Sequence, residues 1–525
     1  MINMKLIVKL FKGLIRRWFI NAAQFHVIKH NIKIWRSWRQ QVSSGEILCD
    51  FMDIGEATIA FSYFSNVLAQ RLNAKIVPFS QKYRNWHLST WLIFKSFNAE
   101  SMAFCLNLNK AQKNKCDTIY LSTRKTIHTK RDVLELKVEG VWIGIDIYES
   151  YLRTFSKSTV DLEDPKFWQT FKDGIAILIY WQDYFSTHKV VSLIVSHDIY
   201  ISLDIVCKVA YSQQIPVYSP TIRGLYRLDA PFMVHKYFSD YPAIFKALPL
   251  AEQLDGIKWA KERLQLKFSG EVGVDMSYST ESGYIDKTTD KKVLHASKNL
   301  KILIASHCFF DNPHAYDEFM FTDFYEWLHF LGKLSEETNY DWYLKPHPDP
   351  LSGTFEALNE ILNFYPNIIV LPHDTSHHQL INEGINVVLT AHGTIGHEYP
   401  YFDVPVINAA YNPHIAYNFN IHVKTVEEYK NVLLNLNNLD CTIVKEEIFE
   451  FYFMHNKYIL PDDLILPSYN KYLNVLSTEE RAGFTGTEYF INHLTPSRHE
   501  EIILKIENYL DSGKRWYFSC GPSEK

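Results

Sequence analysis

The sequence predicts an α/β protein in which two Rossmann-like domains face a cleft. Short, continuous apolar runs such as residues 190–195 alternate with helix-length segments in both halves of the chain, as in parallel sheets. A polar stretch at 271–297, rich in Ser, Thr, Asp, Lys and Gly, separates the halves and is typical of a linker. The 525 residues, 47% of them hydrophobic, suffice for two cores.

The first segment, 1–45, is basic and holds nine Lys and Arg residues without an acidic one. Its apolar residues recur at helical spacing from Leu6 to Trp18, which predicts a basic amphipathic helix on an anionic membrane surface. A helix packed on the sheet with its basic face in solvent is the alternative. Lys and Arg interrupt every apolar run, so we expect neither a signal peptide nor a membrane span.

Residues 46–270 form the predicted N-terminal Rossmann-like domain. A first strand at 46–51 leads through a loop, 53–56, into a helix at 57–72 and a strand at 75–79. A second unit has a strand at 190–195 that ends at Ser196-His197-Asp198, a helix through Val206 and Ala210, and a strand at 215–218.

Residues 298–436 form the predicted C-terminal Rossmann-like domain, with a strand at 300–305, a helix at about 319–334, and strands that end before Lys345 and before His392. The last segment, 437–525, has helical periodicity and is predicted to pack back across the domains.

The most informative stretch is 387–408, which reads as strand, loop, helix, strand, and which follows the Lys-Pro-His-Pro element at 345–348. Ligands bind at the carboxyl ends of parallel strands. We expect Gly393 to let backbone approach a phosphate, Thr394 to cap the helix, and Glu398 to accept from sugar hydroxyls. The predicted nucleotide-binding residues are Lys345, His347, Gly393, Thr394, Glu398 and Ser306.

The Lys-Pro-His-Pro element and the Gly-Thr-Ile-Gly-His-Glu element at 393–398 resemble those of bacterial GT-B glycosyltransferases that build capsules and lipopolysaccharide, in particular capsule Kdo transferases. The resemblance covers 301–424 well and the first half loosely. It implies a nucleotide-sugar donor in the C-terminal domain and a polysaccharide or lipid-linked glycan acceptor in the N-terminal domain. By analogy, the His-Pro element suggests a CMP-linked donor.

A transfer that inverts the anomeric centre needs a base on the acceptor side. The candidate catalytic residues are Glu56, His197, Asp53 and Asp198, from two loops of the N-terminal domain. Each has a structural alternative: Asp53 as a helix cap, Glu56 as a first-turn dipole partner, His197 as a packed turn residue.

Composition narrows the function classes. A net charge of -5 argues against a nucleic-acid partner, and seven scattered cysteines favour a reducing cytoplasm. The basic segment 1–45 adds the expectation of a peripheral position on the inner face of the cytoplasmic membrane. The His, Cys and acidic residues of the motifs do not follow the spacing of zinc ligands. We therefore expect a metal-independent enzyme without a cofactor. Two alternatives stay open: a polyol-phosphate transferase with a cytidine-linked donor, and a non-catalytic carbohydrate or nucleotide binding protein.

Overall fold

The computed structural model describes residues 19–39, 43–82, 86–232, 236–275, 281–285, 291–347, 353–459, 464–466, 475–476, 480 and 486–517. The amphipathic pattern predicted between Leu6 and Trp18 lies outside the described residues.

The strands of the N-terminal half are β1 (Gly45–Asp50), β2 (Ala74–Ser80), β3 (Ala103–Phe104), β4 (Lys137–Val138), β5 (Val141–Trp142), β6 (Val190–Ile194), β7 (Val217–Pro220) and β8 (Leu225–Leu228). Its helices are α1 (Ala22–Trp35), α2 (Gly55–Leu72), α3 (Leu88–Ser96), α4 (Lys110–Arg124), α5 (Lys130–Leu134), α6 (Gly144–Phe155), α7 (Pro165–Thr187), α8 (Ile205–Ser212), α9 (Tyr241–Ala247) and α10 (Leu250–Phe268).

The strands of the C-terminal half are β9 (Lys301–Ala305), β10 (Asp341–Lys345), β11 (Ile368–Val370), β12 (Val387–Thr390), β13 (Val406–Asn408) and β14 (Ile421–His422). Its helices are α11 (Phe324–Glu337), α12 (Thr354–Leu362), α13 (His377–Asn382), α14 (Ile395–Tyr401), α15 (Val426–Leu434), α16 (Lys445–Phe453), α17 (Thr487–His493) and α18 (Pro496–Ser512).

Each half is built on one six-stranded sheet, and the two sheets share the same order. The N-terminal order is β3-β2-β1-β6-β7-β8, with only β8 antiparallel to its neighbour among these strands, and the C-terminal order is β11-β10-β9-β12-β13-β14, parallel throughout. This is the doubly wound order. The first three strands are added toward one edge of the sheet and the last three toward the other edge, so the order reverses between the first and the fourth strand of each sheet. The predicted fold class is confirmed.

The central strands are buried on both faces, as continuous apolar runs predict. Ile47, Leu48 and Cys49 of β1 are fully buried, and so are Ile302, Leu303 and Ile304 of β9. One element was predicted too long: the helix expected from 319 begins only at Phe324. The Asp323 side chain accepts from the N–H of Glu326 and caps the helix, while Phe319 forms a β-bridge with Ala410.

The segments between and after the sheets differ in structure. The described parts of 270–297 contain no helix or strand. Helix α16 packs on α10 through Phe453, which lies against Gly256. Helix α18 packs on α2, where Ile502 and Ile506 are buried, and the Tyr63 hydroxyl lies 3.1 Å from Nδ1 of His499.

Candidate functional site

The crevice of the C-terminal sheet lies at the carboxyl ends of β9 and β12, where the strand order reverses. His307 follows β9 and His392 follows β12, and their ring centroids are 4.6 Å apart. The imidazole Nε2 of His307 accepts from the N–H of Ala391 at 3.2 Å. Burial lowers the pKa of His307 well below its usual value, and the neighbouring His392 and His347 add to the effect. His307 is therefore a neutral acceptor that ties the two strand ends together.

The residues predicted to hold a nucleotide separate into a group at the surface of the crevice and a group buried below it. His347 and Thr394 are exposed, Gly393 is half-buried, and His347 is close enough to affect the charge of His307. The turn after β10 and the loop after β12 thus approach the same histidine. The exposed His347 and Thr394 thus lie at the rim of this crevice.

Gly393 lies in tight packing within the protein. A Cβ there would lie 3.0 Å from Oγ1 of Thr390 and 3.3 Å from Cε1 of His307, tighter than most Cβ contacts. The Gly393 N–H donates to the same Thr390 hydroxyl at 3.2 Å. The glycine lets the loop fold down onto the strand end, so the approach of its backbone is to Thr390 and His307.

The predicted cap by Thr394 is wrong. Thr394 occupies the position before helix α14, but its side chain makes no capping hydrogen bond, because its backbone is already helical, with φ -59° and ψ -23°. The residue as a whole is exposed.

Glu398 differs from its prediction, since its side chain lies inside the protein, where the residue is 4% exposed. Its carboxylate is paired with Nζ of Lys267 at 2.5 Å and accepts from the Tyr284 hydroxyl at 3.0 Å. Burial opposes ionisation, yet Lys267 and the nearby imidazoles of His397 and His377 hold its pKa at about 2. A carboxylate engaged on both oxygens anchors α14 to α10 rather than facing a sugar.

Asp275, His397 and Glu398 place potential metal-ligand atoms within 4.8 Å of one another. The Lys267 ammonium donates to both carboxylates of this group, and the Tyr452 hydroxyl donates to Asp275. The ammonium supplies the positive charge that these carboxylates bind.

Lys345 and Ser306 also lie below the surface of the crevice. Lys345 is 3% exposed and donates from Nζ to the carbonyl of His373 at 2.9 Å. Burial lowers the pKa of Lys345 to about 8. The Ser306 hydroxyl lies 3.3 Å from the Lys345 carbonyl, so both residues support the turn that carries His347.

The crevice of the N-terminal sheet lies at the ends of β1 and β6, which is again where the order reverses. Asp50 ends β1, and its carboxylate accepts from the hydroxyl of Ser196 at 2.7 Å. That hydroxyl also lies 2.9 Å from Nδ1 of the exposed His197. Burial raises the pKa of Asp50 to about 6.

Asp198 lies in the same loop, close to a buried cluster of two carboxylates and one ammonium. Lys208 pairs with Asp146 at 2.8 Å and with Asp204 at 2.7 Å, so one ammonium serves two carboxylates. Burial, together with the charge of Asp204, raises the pKa of Asp198 to about 7. Such a carboxyl group is poised to exchange a proton near neutral pH.

The other two candidate bases, Asp53 and Glu56, follow β1 in the chain, one in the loop and one in α2. Asp53 accepts from the Thr90 hydroxyl at 2.9 Å and does not cap helix α2, whose first flanking residue is Ile54. Glu56 lies in the first turn of α2, as its structural alternative states.

Direct contacts join the two crevices. The hydroxyl of Tyr200, two residues after Asp198, lies 3.4 Å from the carboxylate of Asp311, which also pairs with Arg153 at 3.3 Å. Tyr200 has a φ of +64°, a strained conformation for a bulky side chain that is concentrated at functional sites. The loop after β6 of one domain therefore meets the loop after β9 of the other.

Comparison with known proteins gives matches among solved structures only. No family model and no curated protein matches the chain. The chain is similar to solved glycosyltransferases. The KpsC beta Kdo 2,4 transferase of Thermosulfurimonas dismutans is 11% identical, with a TM-score of 0.30, over 50% of this chain and 79% of that one.

Two other matches cover more of the chain. A Rickettsia africae glycosyltransferase is 12% identical, with a TM-score of 0.26, over 87% of this chain and 100% of that one. A Neisseria meningitidis UDP-GlcNAc 2-epimerase is 11% identical, with a TM-score of 0.21, over 77% and 97%. At these values the matches by themselves assign no activity to the chain.

Sequence reasoning missed Asp50, His307 and His392 as site residues. Each is the last residue of a strand or lies within two residues of its end, in the two strands that flank each reversal of order. The signal that would have found them is position: the first and fourth strands of each half border the crevice, and their polar end residues face it.

Proposed function

We propose that the protein is a glycosyltransferase that moves a sugar from a nucleotide-activated donor to a cell-surface polysaccharide or lipopolysaccharide acceptor, without a metal ion. The observation that carries this proposal is the pairing of two crevices. One presents imidazole and hydroxyl groups, and the other presents carboxyl groups with pKa values near neutrality. The contact between Tyr200 and Asp311 brings the two loops together.

The chemistry follows from the groups that each crevice offers. The acceptor hydroxyl oxygen forms a bond to the anomeric carbon as the bond from that carbon to the donor phosphate oxygen breaks. Asp198 or Asp50 takes the hydroxyl proton, and the phosphate leaves with the electron pair of the broken bond. His347 stabilises the negative charge that grows on the phosphate, by about 2.7–4 kcal/mol if it matches a typical oxyanion donor. The buried Lys345 ammonium makes no direct contact and adds its positive charge from behind the turn that carries His347.

The donor assignment is tested by thermal shift of the full chain with a panel of nucleotide sugars and cytidine-linked donors. A ligand present at about a hundred times its dissociation constant stabilises the protein by about 2.7 kcal/mol. We expect a nucleotide sugar, foremost a CMP-linked one, to raise the melting temperature. His347→Ala is expected to reduce the shift, whereas His128→Ala, an exposed histidine of the other domain, retains it.

The outcomes of the panel separate the function classes. If only a cytidine-linked polyol stabilises the chain, the protein is a polyol-phosphate transferase. If nucleotides bind and no acceptor is ever extended in a radiolabel transfer assay, it is a binding protein. If no nucleotide stabilises it at all, the proposal is lost.

We further propose that helix α1 docks on the anionic inner face of the cytoplasmic membrane. One side of α1 is buried against the domain and includes Val27 and Trp35. Another side carries Phe25 and Ile32, which are 57% and 46% exposed. Basic side chains at Lys29, Lys33 and Arg36 accompany them. Apolar and basic groups on one face favour an anionic lipid surface. In the described part of the chain, no helix is long and apolar enough to cross a bilayer.

Sedimentation of the full chain with liposomes tests this docking. We expect binding to vesicles that contain phosphatidylglycerol and weak binding to pure phosphatidylcholine vesicles. Replacing Phe25 and Ile32 with Asp is expected to abolish the difference, whereas Leu254→Asp, at a residue 61% exposed on α10, leaves it intact. Equal binding by all three proteins contradicts the proposal.

A further inference from the structure

A cavity lies on the N-terminal domain, away from both crevices. Its volume is about 290 Å³, and it opens beside the amino ends of β1 and β2. Glu46 lines it near the start of β1, whereas Asp50 ends the same strand four residues later. At about 3.3 Å per residue, the two positions are roughly 13 Å apart along the strand, at opposite edges of the sheet. The proposed transfer reaction does not use this cavity.

One wall of the cavity is a carboxylate held in a fixed orientation. Glu46 and Lys75 are neighbours across β1 and β2, and the Lys75 ammonium lies 2.9 Å from Oε1 of Glu46. The Tyr184 hydroxyl donates to the other oxygen at 2.7 Å. The Lys75 side chain is 31% exposed. Asn107 adds an exposed amide to this rim.

The other wall is a ladder of aromatic rings at the carboxyl end of α7. Tyr180 and Tyr184 lie one turn apart in α7, and His188 is the residue that follows the helix. The Tyr184 and His188 rings are parallel to within 6°, with centroids 3.9 Å apart, and the Tyr180 and Tyr184 rings are 5.8 Å apart at 28°. The outermost ring, His188, is exposed.

We propose that this cavity binds one saccharide unit of a glycan chain. The exposed ring of His188 presents a flat surface to the C–H face of a sugar ring, while the partly exposed Lys75 side chain and the exposed Asn107 amide offer hydrogen-bond partners to its hydroxyls. The volume lies near the lower end of the range of about 300–1,000 Å³ for small-molecule sites, which suits one sugar ring. If the proposed transferase function holds, the glycan is the acceptor, gripped at a point remote from the reacting end.

Binding of the full chain to an array of bacterial surface oligosaccharides tests the site directly. We expect the protein to bind a subset of these glycans. Lys75→Met keeps the aliphatic stem but removes the ammonium, and we expect affinity to fall about tenfold, the size of one lost hydrogen bond to a charged group. His188→Ala removes the exposed ring and is expected to weaken binding similarly. Lys189→Ala, the exposed neighbour outside the cavity, serves as the matched control.

Three results would overturn the site. The first is a wild-type protein that binds none of the glycans, and the second is unchanged binding by Lys75→Met and His188→Ala. The third is loss of nucleoside monophosphate binding, rather than glycan binding, in the two variants, which would make the ladder a nucleobase site. If only the transferase proposal fails, the result is different. The protein then still binds glycans on the array, but it transfers no sugar from a donor in the transfer assay.

Discussion

At the scale of single residues, the character of the site depends on two carboxyl groups, Asp198 and Asp50, that burial has made less acidic. We predict that Asp198→Asn lowers the transfer rate about 10²–10⁴-fold, the usual contribution of a general base, because an amide cannot take the acceptor proton. Donor binding, measured by thermal shift, is expected to stay the same. Asp255→Asn, an exposed change on α10, serves as the control.

Asp50→Asn distinguishes between the two carboxyl groups. If Asp50 only orients Ser196, its substitution is expected to cost far less than that of Asp198. If the order of the two effects is reversed, Asp50 is the base. Full activity in both variants would remove the proton-transfer role from this crevice.

The same groups predict a bell-shaped dependence of kcat/KM on pH. A base must be unprotonated, so the rate rises as pH passes through the pKa of Asp198, about 7, or of Asp50, about 6. Lys345 must be charged to stabilise the leaving phosphate, so the rate falls as pH passes its pKa of about 8. Lys345→Arg, which stays charged at high pH, is expected to lose the alkaline limb. A profile that is flat between pH 5 and 9 would contradict both assignments.

At the scale of elements, the decisive contact joins α10 to α14. Lys267 near the end of α10 pairs with Glu398 of α14 and with Asp275 beyond the helix. We predict that Lys267→Met lowers the free energy of unfolding by about 3–5 kcal/mol, because it leaves buried carboxylates without their cation. Urea unfolding measures this loss. Lys258→Met, at an exposed lysine of the same helix, is expected to cost little.

The pH dependence of stability gives a second check on this contact. The folded pKa of Glu398, about 2, lies below its ordinary value of 4.5. Its stabilising contribution is therefore complete above pH 4.5 and is lost as pH falls toward 2. Lys267→Met is expected to flatten the stability curve over that window. A wild-type curve without this slope would show that the pair does not hold Glu398 ionised.

At the scale of the whole molecule, the cleft is held by polar contacts between α6 and the loop after β9. Glu149 accepts from the backbone N–H and from Nδ1 of His314, at 3.0 and 3.1 Å, while the Tyr148 hydroxyl donates to Asp323. We predict that Glu149→Gln weakens the domain contact by about 1–3 kcal/mol, the cost of disturbing a buried hydrogen bond to a charged group. Small-angle scattering is expected to show a larger radius of gyration, together with a lower kcat/KM.

The matched control for that change is Glu163→Gln, an exposed glutamate of the same domain, which is expected to leave both measurements unchanged. An unaltered radius of gyration in Glu149→Gln, with lost activity, would place Glu149 in the chemistry and not in the closure of the cleft.

The sequence by itself determined the alternation of strands and helices, because apolar runs, polar loops and helical periodicity are local properties of the chain. It therefore located β1, β6, β9 and β12 and the loops that follow them. For the same reason it located the turn at His347 and the loop at Gly393, both of which follow strands.

Only the tertiary structure decided which polar groups face the cleft and which lie inside. Glu398 and Lys345 have the residue types and spacing of ligand contacts, yet both are buried, because α10 and the loop at His373 supply partners from distant parts of the sequence. Asp50 and His307 gain their roles from strand order, which brings residues 146 positions apart, such as Asp50 and Ser196, into one hydrogen bond. Burial, charge pairing and strand order depend on the packed molecule as a whole, and a local pattern does not contain them.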